Sequence, residues 1–248
     1  MVLVLFVVFV LQPSAVSASA HGDNGAMPLV VFDLDGTLID SRRDLADAAN
    51  ALIVERGGRP QPVDAISAMV GEGAPLLVRR ALTAAGLDPA DPAALPRFLE
   101  LYDERLLNHT HLYEGTRPVL EDISREATLA VLTNKPQRPS ERILEGLAIA
   151  GLFDHVIGGD TSLPRKPDPG GLRHLMTAAG AGAGDTIMVG DSAIDLRTAR
   201  AAGTRICLVR YGFGFRFAAA DLAGDELLAG TTPELLALLR QALGLRQV

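Results

Sequence analysis

From Leu29 onward, short apolar runs recur between stretches of helical periodicity, at 29–33, 128–132, 155–158, 186–190 and 204–209. Runs this short, apolar without alternation, read as strands covered on both faces. The helical stretches between them, at 117–125, 137–148, 170–179 and 194–202, have the length that strand–helix–strand crossovers need. The predicted fold class is therefore α/β, a three-layer, doubly wound core around a parallel sheet. A closing helix is expected after Thr232, with that threonine as N-cap, Pro233 in the first helical position and Glu234 in the first turn.

Residues 42–112 interrupt the alternation, being too long for one crossover. They hold periodicity for four helices, at 44–56, 64–70, 74–85 and 94–108, with no strand in the turns between. This predicts an inserted α-helical cap that leaves the core just after the first strand and lies over the strand ends as a lid. The expected organisation is a core from 27–41 and 113–248, a cap from 42–112, and an N-terminal extension at 1–26. Two readings stand for that extension. Val2 to Leu11 is continuously apolar and Ser17-Ala18-Ser19-Ala20 resembles a cleavage site, as in an export signal, yet no basic residue precedes it; alternatively, translation starts at Met27.

The formal charge of −7 and the lack of a basic run argue against a nucleic-acid partner. The N-terminal apolar run is about half of the ~20 residues that a membrane-spanning helix needs, so no membrane partner is expected. Cys207 is the only cysteine and lies in the apolar run Ile206-Cys207-Leu208-Val209, so it reads as a buried thiol in a reducing, cytoplasmic setting, export being the exception if the signal is genuine. Monomer and homodimer both remain open.

Carboxylates, a hydroxyl and an amide gather where the predicted strands stop. Asp33 and Asp35 follow the first, Thr133-Asn134-Lys135 the second, Gly159-Asp160 the third, and Gly190-Asp191-Ser192 with Asp195 the fourth. Ligands bind outside the carboxyl ends of such strands. Several carboxylates in one place repel unless a cation joins them, and hard oxygen donors of this kind suit Mg²⁺. Lys166 adds a second positive charge, which points to a phosphate-bearing small metabolite as the partner. At such a site Asp33 is the expected nucleophile, forming an aspartyl-phosphate, and Asp35 the general acid and then base. Thr133 and Lys166 are expected to stabilise the charge on the transferring phosphoryl group.

The ordered set Asp33-x-Asp35-Gly-Thr37, Leu132-Thr133-Asn134, Lys166-Pro167 and Gly190-Asp191-Ser192-x-x-Asp195 resembles the four motifs of the haloacid dehalogenase superfamily, over about residues 28–215. Within it the chain is most similar to phosphoglycolate phosphatases, through Phe32 to Ser41, Leu132 to Pro136, Ile157 to Asp160, Arg165 to Pro169 and Val189 to Ser192. The resemblance implies a Rossmann-like core and Mg²⁺ held by the Asp33 carboxylate, the Asp35 backbone carbonyl and Asp191, with Asp195 supporting the metal shell. It also implies that Thr133, Asn134 and Lys166 hold the phosphoryl group. The substrate it implies is 2-phosphoglycolate. Another small substrate (pyrophosphate, a sugar or amino-sugar phosphate), a hexose-phosphate mutase and a catalytically silent binding module stay open as alternatives.

Gly71-Glu72-Gly73 falls where the resemblance places a specificity loop, making Gly73 a candidate substrate contact, and Arg79 on the next helix is a candidate for a substrate carboxylate. Gly180-Ala-Gly182-Ala-Gly184 follows a helix and precedes a strand, the reverse of a dinucleotide loop, and reads as a connection. His109 and His111, two apart on an expected helix end, do not share a face and suggest no metal site.

Overall fold

The computed structural model describes residues 27–245, so the readings made for residues 1–26 lie outside the described residues. Its centre is a six-stranded parallel sheet made of β1 (Leu29–Phe32), β4 (Thr128–Leu132), β5 (His155–Ile157), β6 (Thr186–Gly190), β7 (Arg205–Val209) and β8 (Leu227–Ala229), in the order β5-β4-β1-β6-β7-β8. β1 lies in the middle, Phe32 facing Val131 of β4 on one side and Val189 of β6 on the other. Because every strand points the same way, Asp33, Thr133 and Asp191, each the residue after its strand, share one edge of the sheet.

Alternation along the strands divides the core into two layers. Val30, Phe32, Leu129, Val131, Ile187 and Val189 pack on α5 (Thr116–Ile123), α6 (Gln137–Gly146) and α9 (Thr232–Leu243). Leu29, Val31, Ala130, Leu132 and Met188 face α7 (Gly170–Ala179) and α8 (Ala193–Ala202). Strands covered by helices on both faces carry apolar residues at every position, which is why these runs show no polar alternation in the sequence. Cys207 is fully buried among them, and burial pushes its thiol up to about 12.

Between β1 and β4 the chain forms α1 (Arg42–Glu55), α2 (Val63–Ser67), α3 (Ala74–Ala84) and α4 (Ala94–Asp103), which pack on one another. The expected helices at 64–70 and 94–108 are both shorter than their periodicity suggested. The departing and returning chains are joined by a short antiparallel ribbon of β2 (Ile39–Asp40) and β3 (His111–Leu112). His111 is therefore on a strand and not on a helix end. Asp44, fully buried in the first turn of α1, clamps the returning chain: its carboxylate accepts from the backbone N–H of His109 and Thr110 and from Thr110 Oγ1, at 2.8–3.0 Å.

Two further expectations shift. The N-cap of α9 is Thr231, whose extended backbone (φ −141°, ψ 163°) lets its side chain accept from Glu234 N–H at 3.3 Å. Thr232 is the first helical residue and donates instead to the carbonyl of Glu114 at 2.8 Å. β8, Leu227-Leu228-Ala229, was not anticipated. Among the described residues no helix is long and apolar enough to cross a membrane.

Candidate active site

The site forms where the strand edge meets the helical segment. One cleft is lined on one side by Asp33, Asp35, Thr133, Asn134, Lys135 and Asp191, and on the other by Leu45, Gly73, Leu77, Phe98 and Tyr102 from that segment. The backbone N–H of Asp33 donates to Val189 and that of Thr133 to Ile157, so ladder hydrogen bonds fix both residues one step beyond their strands.

Asp33 is 8% exposed, and its Oδ1 lies 2.8 Å from Lys166 Nζ. The same ammonium reaches Asp195 Oδ1 at 2.7 Å, so Lys166 bridges two carboxylates. Asp195 is the third residue of α8, and its other oxygen accepts from the backbone N–H and hydroxyl of Ser192 in a capping box. A carboxylate is stabilised there by the unpaired N–H groups of the helix start. Asp191 accepts the backbone N–H of Gly214 at 2.7 Å. Its carboxylate packs against Gly36, Gly212 and Gly214, and a side chain at Gly36, whose φ is +87°, would collide with it. Only glycine takes that backbone conformation without strain.

Carboxylate oxygens of Asp33, Asp191 and Asp195 all lie within 4.8 Å of one another. Burial raises the pKa of Asp33 to about 6, with Lys166 opposing the rise and Asp195 adding to it. Burial also holds Asp191 well above the usual carboxylate range, with Asp195 and Asp33 pushing further in that direction. Burial disfavours the charge on Lys166, but Asp195 and Asp33 outweigh it and the ammonium titrates above its ordinary range. Three buried carboxylates against one ammonium leave surplus negative charge among hard oxygen donors, and these residues fit a small divalent cation.

Asp35 turns away from that cluster. It accepts from Ser41 Oγ at 2.5 Å and faces Lys135 Nζ at 3.0 and 3.1 Å. Its carboxylate is thus outside the group that could share a metal, which leaves only its main-chain carbonyl for the ligand role expected of it. Thr133 Oγ1 accepts the Lys135 backbone N–H at 3.2 Å, so its own hydroxyl hydrogen remains to donate. Asn134 lines the cleft, and its side-chain nitrogen donates to the carbonyls of Gly71 and Lys166, both at 3.0 Å, so the side chain ties the helical segment to the core. Lys166 stands behind Asp33 and is not part of the cleft lining. Gly73 lines the cleft at φ +92°, next to the Asn134 carbonyl. Arg79 is exposed and outside the cleft.

Sequence reasoning passed over Lys135 and Tyr102. Lys135 is buried, with its ammonium 4.5 Å from the centre of the Tyr102 ring. The lysine could have been found from its position two residues after a strand end. Tyr102 carried no such signal, because α4 reaches the site only through tertiary packing.

The fold and this edge define an α/β protein that gathers carboxylates at its strand ends. The family model for haloacid dehalogenase-like hydrolases matches residues 30–209, and the chain belongs to that family. A protein named phosphoglycolate phosphatase from Rhodospirillum rubrum is 43% identical over 192 residues, covering 74% of this chain and 80% of that protein. Another of that name from Pseudomonas putida is 41% identical, with 76% and 72% covered. Among solved structures, one described as a predicted phosphoglycolate phosphatase from Haemophilus somnus is 27% identical with a TM-score of 0.78, covering 86% of this chain and 97% of that one.

Proposed function

We propose that the protein is a Mg²⁺-dependent phosphoric monoester hydrolase whose substrate is 2-phosphoglycolate. The observation that carries this is the meeting of Asp33, Asp191 and Asp195 with Lys166 at the edge that also presents Thr133 and Asp35. The substrate assignment draws on relatives named for that activity at about 40% identity. The same reading takes residues 42–112 as a cap over a core of 27–41 and 113–248. A cytoplasmic setting goes with it, supported by the single buried thiol.

In this reading an oxygen of Asp33 attacks phosphorus and the ester bond breaks, leaving an aspartyl-phosphate while the departing glycolate oxygen takes a proton from Asp35. Asp35 then accepts a proton from water as that water attacks the aspartyl-phosphate, releasing inorganic phosphate and restoring both carboxyl groups. The Thr133 hydroxyl donates to a phosphoryl oxygen, where charge is spread in a loose transition state. Lys166 holds Asp33 in line and compensates its charge. Asp33, Asp191 and the Asp35 carbonyl would hold Mg²⁺ with Asp195 behind them, and the ion would neutralise phosphoryl charge. The cap side of the cleft, mostly apolar, keeps water away from the intermediate.

The test is a panel of phosphate esters assayed with Mg²⁺, among them 2-phosphoglycolate, sugar and amino-sugar phosphates, and pyrophosphate. The highest kcat/KM falls on 2-phosphoglycolate. A flat profile, or a preference for a sugar phosphate, overturns the substrate assignment.

A further inference from the structure

We propose that Lys135 is the residue that recognises the carboxylate of the substrate, positioned for it by the ring of Tyr102. The inference rests on the phosphoglycolate reading and deepens it. That substrate has an anionic group at each end, and the phosphoryl end is accounted for at Asp33 and Thr133. Its carboxylate must then enter a cleft whose far wall is built from side chains such as Leu45, Leu77 and Phe98. Leaving a carboxylate unpaired against such a wall is strongly unfavourable.

Among the described residues, Lys135 is the only lysine or arginine in that lining. Other cations nearby are engaged or turned away: Arg79 is exposed, Arg80 pairs with Glu72 at 2.6 Å, and Arg165 donates to the Gly159 carbonyl at 2.5 Å. Lys166 is occupied by Asp33 and Asp195. Lys135 is held firmly, its side chain 3% exposed, with Asp35 on one side and the Tyr102 ring on another. An ammonium has three donors, so a second carboxylate can share it with Asp35.

The spacing also fits. The Lys135 backbone N–H is bonded to Thr133 Oγ1, so a single turn of chain places the hydroxyl for the phosphoryl group and the cation for the carboxylate. Tyr102 comes from α4, so the ring over the ammonium makes recognition depend on the seating of the helical segment. Cation–π contacts of this kind strengthen where water is excluded.

The experiment compares kcat/KM for 2-phosphoglycolate with that for 2-hydroxyethyl phosphate, in which a CH₂OH group replaces the carboxylate. The wild-type enzyme prefers the first by about 100-fold or more, because only its carboxylate adds a second charge-assisted contact to the buried ammonium beside Asp35. In Lys135→Met both esters share a loss in kcat through the contact with Asp35, but the preference collapses to within about threefold, carried by KM for 2-phosphoglycolate. Lys135→Arg, which keeps the charge, regains part of the preference. Tyr102→Leu covers the case in which Lys135→Met does not fold, and there KM rises for 2-phosphoglycolate and not for the analogue. A preference that survives Lys135→Met, or a Tyr102→Leu effect shared equally by both esters, overturns the inference while the phosphoglycolate reading stands. No preference in the wild-type enzyme removes the reading itself.

Discussion

The strand edge and the helical segment hold their ion pairs in opposite ways. At the edge, Asp33, Lys135, Lys166, Asp191 and Asp195 are buried and packed together. In the helical segment the ion pairs Arg43–Asp47, Arg80–Glu72 and Arg97–Glu55 lie on the surface, each side chain at least a third exposed. Buried like charges cost stability and are kept where chemistry needs them, whereas exposed pairs add little to anything. In the proposed reading, the contrast separates the part of the molecule that performs the reaction from the part that shapes what enters.

The largest expected effect tests the edge. In the proposed mechanism Asp33→Asn removes the nucleophile and leaves the shape, so turnover falls by at least about a thousandfold while the melting temperature is kept or raised. Steady-state phosphate release and a thermal melt check this, and substantial retained turnover would break the assignment.

The second prediction concerns pH in metal-free protein. Asp33 titrates at about 6 in the folded chain against an ordinary value of 3.8, so the folded state binds its proton more tightly. The stability it contributes is whole below the ordinary value and is lost as pH rises through about 6. In EDTA, the melting temperature of the wild type relative to Asp33→Asn should therefore fall by a few degrees between about pH 5 and 7. Mg²⁺ at neutral pH should recover the loss, because a ligand that binds only the folded state stabilises it. A flat difference curve would mean that the carboxylates are not crowded as described.

The helical segment supplies the smaller effects. Asp44→Ala leaves the N–H groups of His109 and Thr110 without their buried acceptor, and should cost about 2–4 kcal/mol in a denaturant melt. Arg97→Ala, which breaks an exposed pair with Glu55, should leave the melt where it was. A large loss there would erase the contrast between the two regions.

The same contrast explains how much could be read in advance. β1, β4, β6 and β7 were legible because strands buried on both faces leave unbroken apolar runs. Asp33, Thr133 and Asp191 were legible because a parallel sheet brings strand ends to one edge whatever lies between them. The two-residue ribbon of β2 and β3 was not, since so few residues carry no period, and β8 was also missed. Asn134 and Lys135 show a further limit. Their residue types announced hydrogen bonding and charge, but their partners Gly71, Asp35 and Tyr102 are remote in sequence and set by packing. Arg79 lies exposed outside the cleft for the mirror reason, since a helix period cannot tell which face the core will cover.

The most direct measurement is borohydride trapping during turnover of 2-phosphoglycolate with Mg²⁺, since an acyl phosphate is reduced to an alcohol and the aspartate becomes homoserine. Peptide mass analysis should find that conversion at Asp33 alone, dependent on substrate and absent from Asp33→Asn. Turnover without any trapped residue, or with the conversion at Asp35, Asp191 or Asp195, would contradict the account.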